Sequence, residues 1–295
     1  MHNREHQDRV GFYGFFESVD DQGVANALFD TAAAWLRAKG FDTMRGPMNP
    51  SVNDECGLLI ENNGTPPSLM MPYNFSYYQQ LHERYGFTKA KDLLAFDGGG
   101  ADAAPERFRK LGERALRRSG ITLRTLNKKR FDSEVELIKK LYNRAWEKNW
   151  GFVPLTDAEI DHLAKQLKPI VVPDLVIFAE QAGGDVVGFA VGLPDFNLAL
   201  LHNRSGRLFP GILKVLWRAR KIHRARILLL GVLPELRGRG IDAILYHRVW
   251  EASVKHGMPT GEAGWILEDN ELMKKAATAL GFRQSKVFRV YDKPL

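Results

Sequence analysis

Residues 231–242 read GVLPELRGRGID. The aliphatic run RILLLGVL (226–233) leads in and reads as a strand, and IDAILYHRVWEASVKHG (241–257) leads out and reads as an amphipathic helix. A helix N-terminus presents unpaired N–H groups and the positive end of the helix dipole, and glycines let the backbone come close to an anion. The R-G-R-G turn from Arg237 to Gly240 therefore has the makings of a pyrophosphate cradle. The Gly-Lys-Ser/Thr of a Walker loop is absent. The dinucleotide pattern G-x-G-x-x-G fails as well, because Gly238 and Gly240 fit its start but Ala243 takes its third position. Asp242 complicates the cradle. A carboxylate within roughly 5 Å of a phosphate repels it by about 1 kcal/mol in partly screened surroundings. The same acid in a first helical turn gains roughly 0.3–1 kcal/mol from the dipole. Two readings stay open: a working cradle with Asp242 turned sideways, and a decayed one.

The spacing V-x-P-x-x-R-G-x-G-I, carried by Val232, Pro234, Arg237, Gly238, Gly240 and Ile241, resembles the acyl-CoA segment of the GNAT N-acetyltransferase superfamily. The order of elements around it fits. ITLRTL (121–126) is a strand, and DSEVELIKKLYNRAWEKN (132–149) is a helix capped by Asp132 or Ser133. TDAEIDHLAKQL (156–167) is a second helix with a Thr156/Glu159 capping box. LVIFAEQAGGDVVGFAVGL (175–193) is a hairpin turning at Gly183-Gly184. The expected fold class is α/β (α+β), a mixed central sheet flanked by helices. The resemblance implies acetyl-CoA or a longer acyl-CoA as donor, held by Gly231, Val232, Arg237, Gly238, Arg239, Gly240 and Ile241, with Asn270 also in contact. One departure is visible. Many members use a tyrosine as acid four residues before the late Gly-Phe pair, and here that position is Ala277.

A repeat enlarges the picture. GFTKAKDLLAFD (86–97) and GFRQSKVFRVYD (281–292) share G-F-x-x-[A/S]-K-x-x-x-x-[F/Y]-D, and a helix-like run precedes each. We expect a tandem: a partial, degenerate GNAT-like back half at 1–97, a linker and bridging helix at 98–119, and an acyl-CoA-binding domain at 120–295 with an insertion at 197–225. The first copy opens at VGFYGFFESV (10–19), the counterpart of strand 226–233. Its missing strands come from elsewhere or the gene product is truncated, and truncation is the favoured expectation.

Direct acyl transfer needs a neutral amine, and a carboxylate acting directly or through water can take its proton. Candidates are Glu262 and Glu268 in GEAGWILEDN (261–270) and Asp195 after GFAVGLP. By two-residue periodicity Glu262, Gly264, Ile266 and Glu268 share a strand face; a cleft lining and an exposed edge are both open for it. Asp269 is expected to cap the next helix, Tyr246 to sit in the core and His247 at the surface. RGPMNPSVNDECGLLIE (45–61), with Asn53 and Asp54, is expected either to complete a substrate cleft between the halves or to link them.

Composition narrows the partners. The 295 residues carry a formal charge of +7, which favours anionic ligands or surfaces. A single cysteine, Cys56, rules out an internal disulfide framework, and no His/Cys/acid cluster suggests a metal. No recognition-helix or base-stacking pattern supports nucleic acid. No signal peptide or membrane-length run is present, so the expected location is cytoplasmic, with peripheral contact at the inner membrane surface. That contact would run through 205–224, where PGILKVLWRARKIHR (210–224) mixes aliphatic and basic residues; a lid helix packed on its own domain is the equal alternative. The insertion also resembles those of ceramide synthase-type GNAT acyltransferases of bacterial lipid operons. The leading expectation is an acyl-CoA-dependent N-acyltransferase acting on a primary amine, small or lipid. The alternatives are a long-chain lipid-amine acyltransferase and a non-catalytic GNAT-fold scaffold at a membrane.

Overall fold

A computed structural model describes residues 1–100, 120–203, 206–207 and 209–295, with isolated positions between 110 and 116. Most of the expected linker and bridging helix (98–119) lies outside the described residues. One mixed ten-stranded sheet organises the chain. Its elements begin with α1 (His2–His6), β1 (Val10–Phe12), α2 (Gln22–Ala38) and β2 (Thr43–Gly46). The short β3 (Met48–Asn49) and β4 (Glu55–Cys56), then β5 (Leu58–Asn62), α3 (Tyr77–Tyr85) and β6 (Thr88–Gly99), complete the first half. The second half runs β7 (Thr122–Thr125), α4 (Phe131–Trp146), α5 (Asp157–Leu167), β8 (Val176–Glu180), β9 (Val186–Pro194), α6 (Asn197–Leu200) and α7 (Gly211–Ala219). It continues with β10 (Arg224–Val232), α8 (Ile241–Lys255), β11 (Thr260–Leu267), α9 (Glu271–Ala279) and β12 (Arg283–Pro294).

The strand order is β1-β2-β12-β6-β11-β10-β9-β8-β7, with β5 also on β12. β1 pairs parallel with β2, and β10 pairs parallel with β11. Between these pairs lie the two repeat strands, antiparallel, with Asp97 opposite Arg283 and Thr88 opposite Asp292. β6 of the first half thus pairs with β11 of the second, and β12 of the second with β2 of the first. The halves thus exchange their last strands, and β1 of the first half forms one edge of the shared sheet.

The repeat is visible in the turns that feed these strands. Gly86 (φ 97°) and Gly281 (φ 85°) both follow helix ends in the left-handed region that glycine enters without a Cβ penalty. Phe87 N–H donates to the His82 carbonyl at 3.2 Å, and Phe282 N–H to the Ala277 carbonyl at 3.1 Å. Both phenylalanines are buried. The Thr156/Glu159 capping box is formed as expected. Apolar faces of α4, α8 and α9 pack on β8–β11 in the largest core, while Phe29, Leu36, Tyr78 and Leu81 close a second core over β2 and β12.

Candidate active-site cleft

β10 and β11 hold each other only from Arg224–Ile227 against Thr260–Ala263. Beyond that point β10 stays with β9, pairing Leu229 to Val191 and Val232 to Gly188, while β11 stays with β6, pairing Ile266 to Leu94. Each strand has a register shift where they part, between Ile227 and Leu229 and between Ala263 and Ile266. Their facing edges open into a cavity of about 250 Å³. The β10 edge there carries main-chain donors and acceptors able to receive an extended, amide-bearing chain as a strand would.

The walls come from several elements. Tyr142, Ala145 and Trp146 of α4, followed by Asn149, Trp150 and Phe152, form one side. Val52, Asn53, Asp54 and Met70 reach in from the first half, within and beyond the 45–61 stretch. Tyr142 O–H donates to Asn53 Oδ1 at 3.1 Å, and Asn53 Nδ2 donates to the Val153 carbonyl at 2.8 Å, which ties that loop to the second half. Asp242 and Tyr246 of α8 and Asn270, Leu272 and Met273 at the start of α9 complete the lining. NRAWEKNWGF (143–152) carries an aromatic cluster that was legible as a signal but has no periodicity to fix which way its rings point.

At one end lies the Arg/Gly turn. Gly238 (φ 74°) and Gly240 (φ 80°) are both left-handed, and nothing stands within 4 Å of a Cβ built at Gly238. Gly240 caps α8 with no side chain bonded to the first N–H groups of the helix. These groups can receive an anion such as a diphosphate. Of the residues expected to hold it, Gly231, Val232, Arg237, Gly238 and Asn270 line the cavity. Arg239 is exposed beside it, Gly240 is the cap, and Ile241 is buried in the core. Arg237 has structural duties: its guanidinium donates to the Val232 carbonyl at 3.3 Å and to the Ala145 carbonyl, joining the end of β10 to α4. Asp242 is among the residues that line the cavity.

The three expected carboxylates are engaged elsewhere, and none lines the cavity. Glu262 is fully buried, 2.8 Å from Lys286 Nζ and 3.4 Å from Arg224, with Oε1 unpartnered. Asp195 accepts from Leu69 N–H at 2.9 Å and lies 3.5 Å from Arg224; burial raises its pKa. Glu268 accepts from Lys89 at 2.5 Å and from Asp92 N–H at 3.1 Å. The shared strand face also fails, because the shift between Ala263 and Ile266 breaks the two-residue period. Two smaller expectations are corrected. Asn270 caps α9, accepting from Met273 N–H at 3.2 Å, while Asp269 is drawn 2.8 Å from Lys91. His247 is buried, not at the surface. Tyr246 is buried as expected but also lines the cavity.

Arg226 escaped the sequence reading, which placed Tyr246 in the core only. Arg226 is 4% exposed and lines the cavity where the strands part. It donates to the carbonyls of Leu69 and Gly264, yet its Nε has no partner, and burial lowers its pKa. The Tyr246 hydroxyl makes no hydrogen bond among the described residues, and burial, then Asp242, push its pKa up. It is protonated at neutral pH and faces open space.

No family model matches the chain. The "Bacterial ceramide synthase" of Caulobacter vibrioides is 37% identical over 292 residues, covering 97% of this chain and 75% of that protein. "Protein YghO" of Escherichia coli is 33% identical over 303 residues, covering 100% and 77%. Among solved structures, a GCN5-related N-acetyltransferase from Sphaerobacter thermophilus superposes with a TM-score of 0.51 at 14% identity, over 91% of this chain and 67% of that one. A tandem GNAT protein from the clavulanic acid biosynthesis pathway gives 0.51 at 14%, over 91% and 69%. At that identity these two speak for the fold. The chain is therefore a tandem GNAT-fold protein, and it belongs to the family that holds the Caulobacter vibrioides bacterial ceramide synthase and Escherichia coli YghO.

Proposed function

We propose that the chain transfers an acyl group from an acyl-CoA to the amine of a long-chain lipid acceptor. The observation that carries this is the cavity between the parted strands, walled by Trp146, Trp150, Phe152, Met70 and Met273 and ending at the Arg/Gly turn. Apolar walls of this kind suit alkyl chains, because each buried methylene contributes about 0.8 kcal/mol. A small charged amine would gain nothing from them. The ceramide synthase named among the relatives supports the lipid acceptor in preference to a small primary amine.

Bound acyl-CoA would supply the thioester carbonyl. The α8 N-terminus and Gly238 would hold its diphosphate, and the free edge of β10 its amide-bearing arm. The amine must lose one proton and the departing thiolate must gain one. Asp54 and Asp242 are the acids on the lining, and Asp242 belongs to the phosphate end. Asp54, whose Oδ2 accepts from Ser51 Oγ at 2.8 Å, is therefore the base we assign. Arg226 assists it, since a buried cation disfavours an ammonium nearby and favours the neutral amine that attacks. Tyr246, with its unpartnered hydroxyl, takes the acid's role that Ala277 cannot fill.

The test is an assay of purified protein with acyl-CoAs from acetyl to palmitoyl and, as acceptors, a long-chain amino alcohol and a short water-soluble amine. N-acylated long-chain product detected by mass spectrometry is expected. Acylation of the short amine alone, or no product from folded protein that binds CoA, would overturn the reading.

A further inference from the structure

The stretch 197–225 contains seven lysines and arginines and no aspartate or glutamate. It folds as α6 and α7, placed between β9 and β10. α7 is anchored by Gly211 and Val215, which are buried. The remaining faces are not covered. Leu213, Leu216 and Trp217 fall at i, i+3 and i+4 and are 57%, 58% and 53% exposed. Phe209, just ahead of the helix, is 74% exposed, and Leu200 and Leu201 at the end of α6 are 50% exposed each. Lys214 and Arg218 fall at i and i+4 on α7 beside the apolar stripe, and Lys221, in the turn just after the helix, adds a third cation there. Arg218 and Lys221 lie 5.0 and 4.5 Å from the Trp217 ring, so cations flank the aromatic anchor.

We propose that this face docks the protein on an anionic phospholipid bilayer, with Leu213, Leu216, Trp217 and Phe209 entering the headgroup–acyl boundary and the basic stripe against the anionic headgroups. The combination favours a membrane because apolar insertion and charge attraction act from one side of one helix. A second copy of the chain is the poorer occupant. A two-fold contact sets a surface against itself, and here that would bring two acid-free basic segments together with nothing to neutralise them. None of these residues lines the cleft. No helix among the described residues is long and apolar enough to cross a membrane, so this contact would be peripheral.

The test is co-flotation of the full chain with phosphatidylcholine vesicles and with mixed phosphatidylcholine–phosphatidylglycerol vesicles. Neither lipid carries a primary amine, so the readout does not depend on the acyl-transfer proposal. Binding to the mixed vesicles, weakened by high salt, is expected. Two variants follow, Leu213→Ser/Leu216→Ser/Trp217→Ser and Lys214→Glu/Arg218→Glu/Lys221→Glu. Five of the six side chains project from α7 and Lys221 lies in the exposed turn just after it, so folding survives. The charge-reversal variant should lose roughly a hundredfold in affinity for mixed vesicles, and the apolar variant should lose binding while still acylating a short soluble amine if the wild type does so. The proposal is overturned if the wild type fails to float, if either variant floats as well as the wild type, or if the apolar variant instead converts a wild-type dimer to monomer in gel filtration.

Discussion

Trp146 is seated on Gly231: a Cβ built there would stand 2.7 Å from Cη2 and Cζ3 of the indole. The ring stacks on Tyr142 at 4.6 Å and leans on Phe189 at 5.8 Å, so the aromatic wall of the cleft rests on bare β10 backbone. Gly231→Ala therefore forces the indole off its seat. Overpacking of this kind costs about 1–3 kcal/mol, so thermal unfolding should shift down and acyl-CoA affinity should fall with it. Adding Trp146→Phe, a smaller ring, should return part of the stability. An unchanged melting temperature in the single variant would mean the ring is free to move aside.

Asp242 lines the cavity at the turn where the diphosphate is proposed to sit. Its charge opposes the cradle made by Gly238 and the α8 N-terminus. Replacing it with alanine removes a repulsion of about 1 kcal/mol in partly screened surroundings, and calorimetry should show CoA bound roughly fivefold tighter. The gain should shrink in high salt. Weaker binding in Asp242→Ala would place the diphosphate elsewhere.

The fold was legible where a local rule had one solution. R-G-R-G between an aliphatic run and a helix specified strand, glycine turn and cap, and the glycines at 86 and 281 marked the repeat. The sheet that joins the halves was not legible. β6 and β12 each carry a pattern that suits either half, and only the three-dimensional pairing decides which strand each meets. The carboxylates misled for a related reason. Glu262 reads like an acid beside a cleft, but Asp97 lies opposite it across the β11–β6 ladder, and Lys286 from β12, on the far side of β6 and distant in sequence from Asp97, supplies its counter-charge. A one-residue shift in register, invisible to a two-residue period, then took Ile266 into the cleft and left Glu262 outside it.

His82 gives a pH dependence with a definite sign. It occupies the position in the first half that Ala277 holds in the second, and it is wholly buried among Phe16, Phe29 and Phe87. Nδ1 is 2.7 Å from the Tyr78 carbonyl, so Nδ1–H donates and the unpartnered Nε2 carries the lone pair. Burial lowers its pKa from 6.5 to about 4. The unfolded chain takes up this proton below pH 6.5 and the folded chain only near 4. Stability is thus full above 6.5 and falls across that window, by on the order of 3 kcal/mol. Denaturant midpoints at pH 7 and 4.5 should differ less in His82→Phe than in the wild type. Equal differences would mean that other groups carry the acid sensitivity.

Tyr246 is the cleft residue whose chemistry separates a catalyst from a binder. Its hydroxyl faces the cavity without a partner, and its raised pKa keeps the proton on at neutral pH. Tyr246→Phe keeps the buried ring and removes only the O–H, so melting temperature and acyl-CoA affinity should hold. Turnover should fall by about 10²–10⁴, the range for loss of a general acid. A thioester donor with a more acidic thiol leaves without needing a proton, so that donor should restore much of the rate in the variant but little in the wild type. A rate unchanged with the ordinary donor, or a loss that the better leaving group does not repair, would remove Tyr246 from the reaction and leave it as a packing residue of the cleft wall.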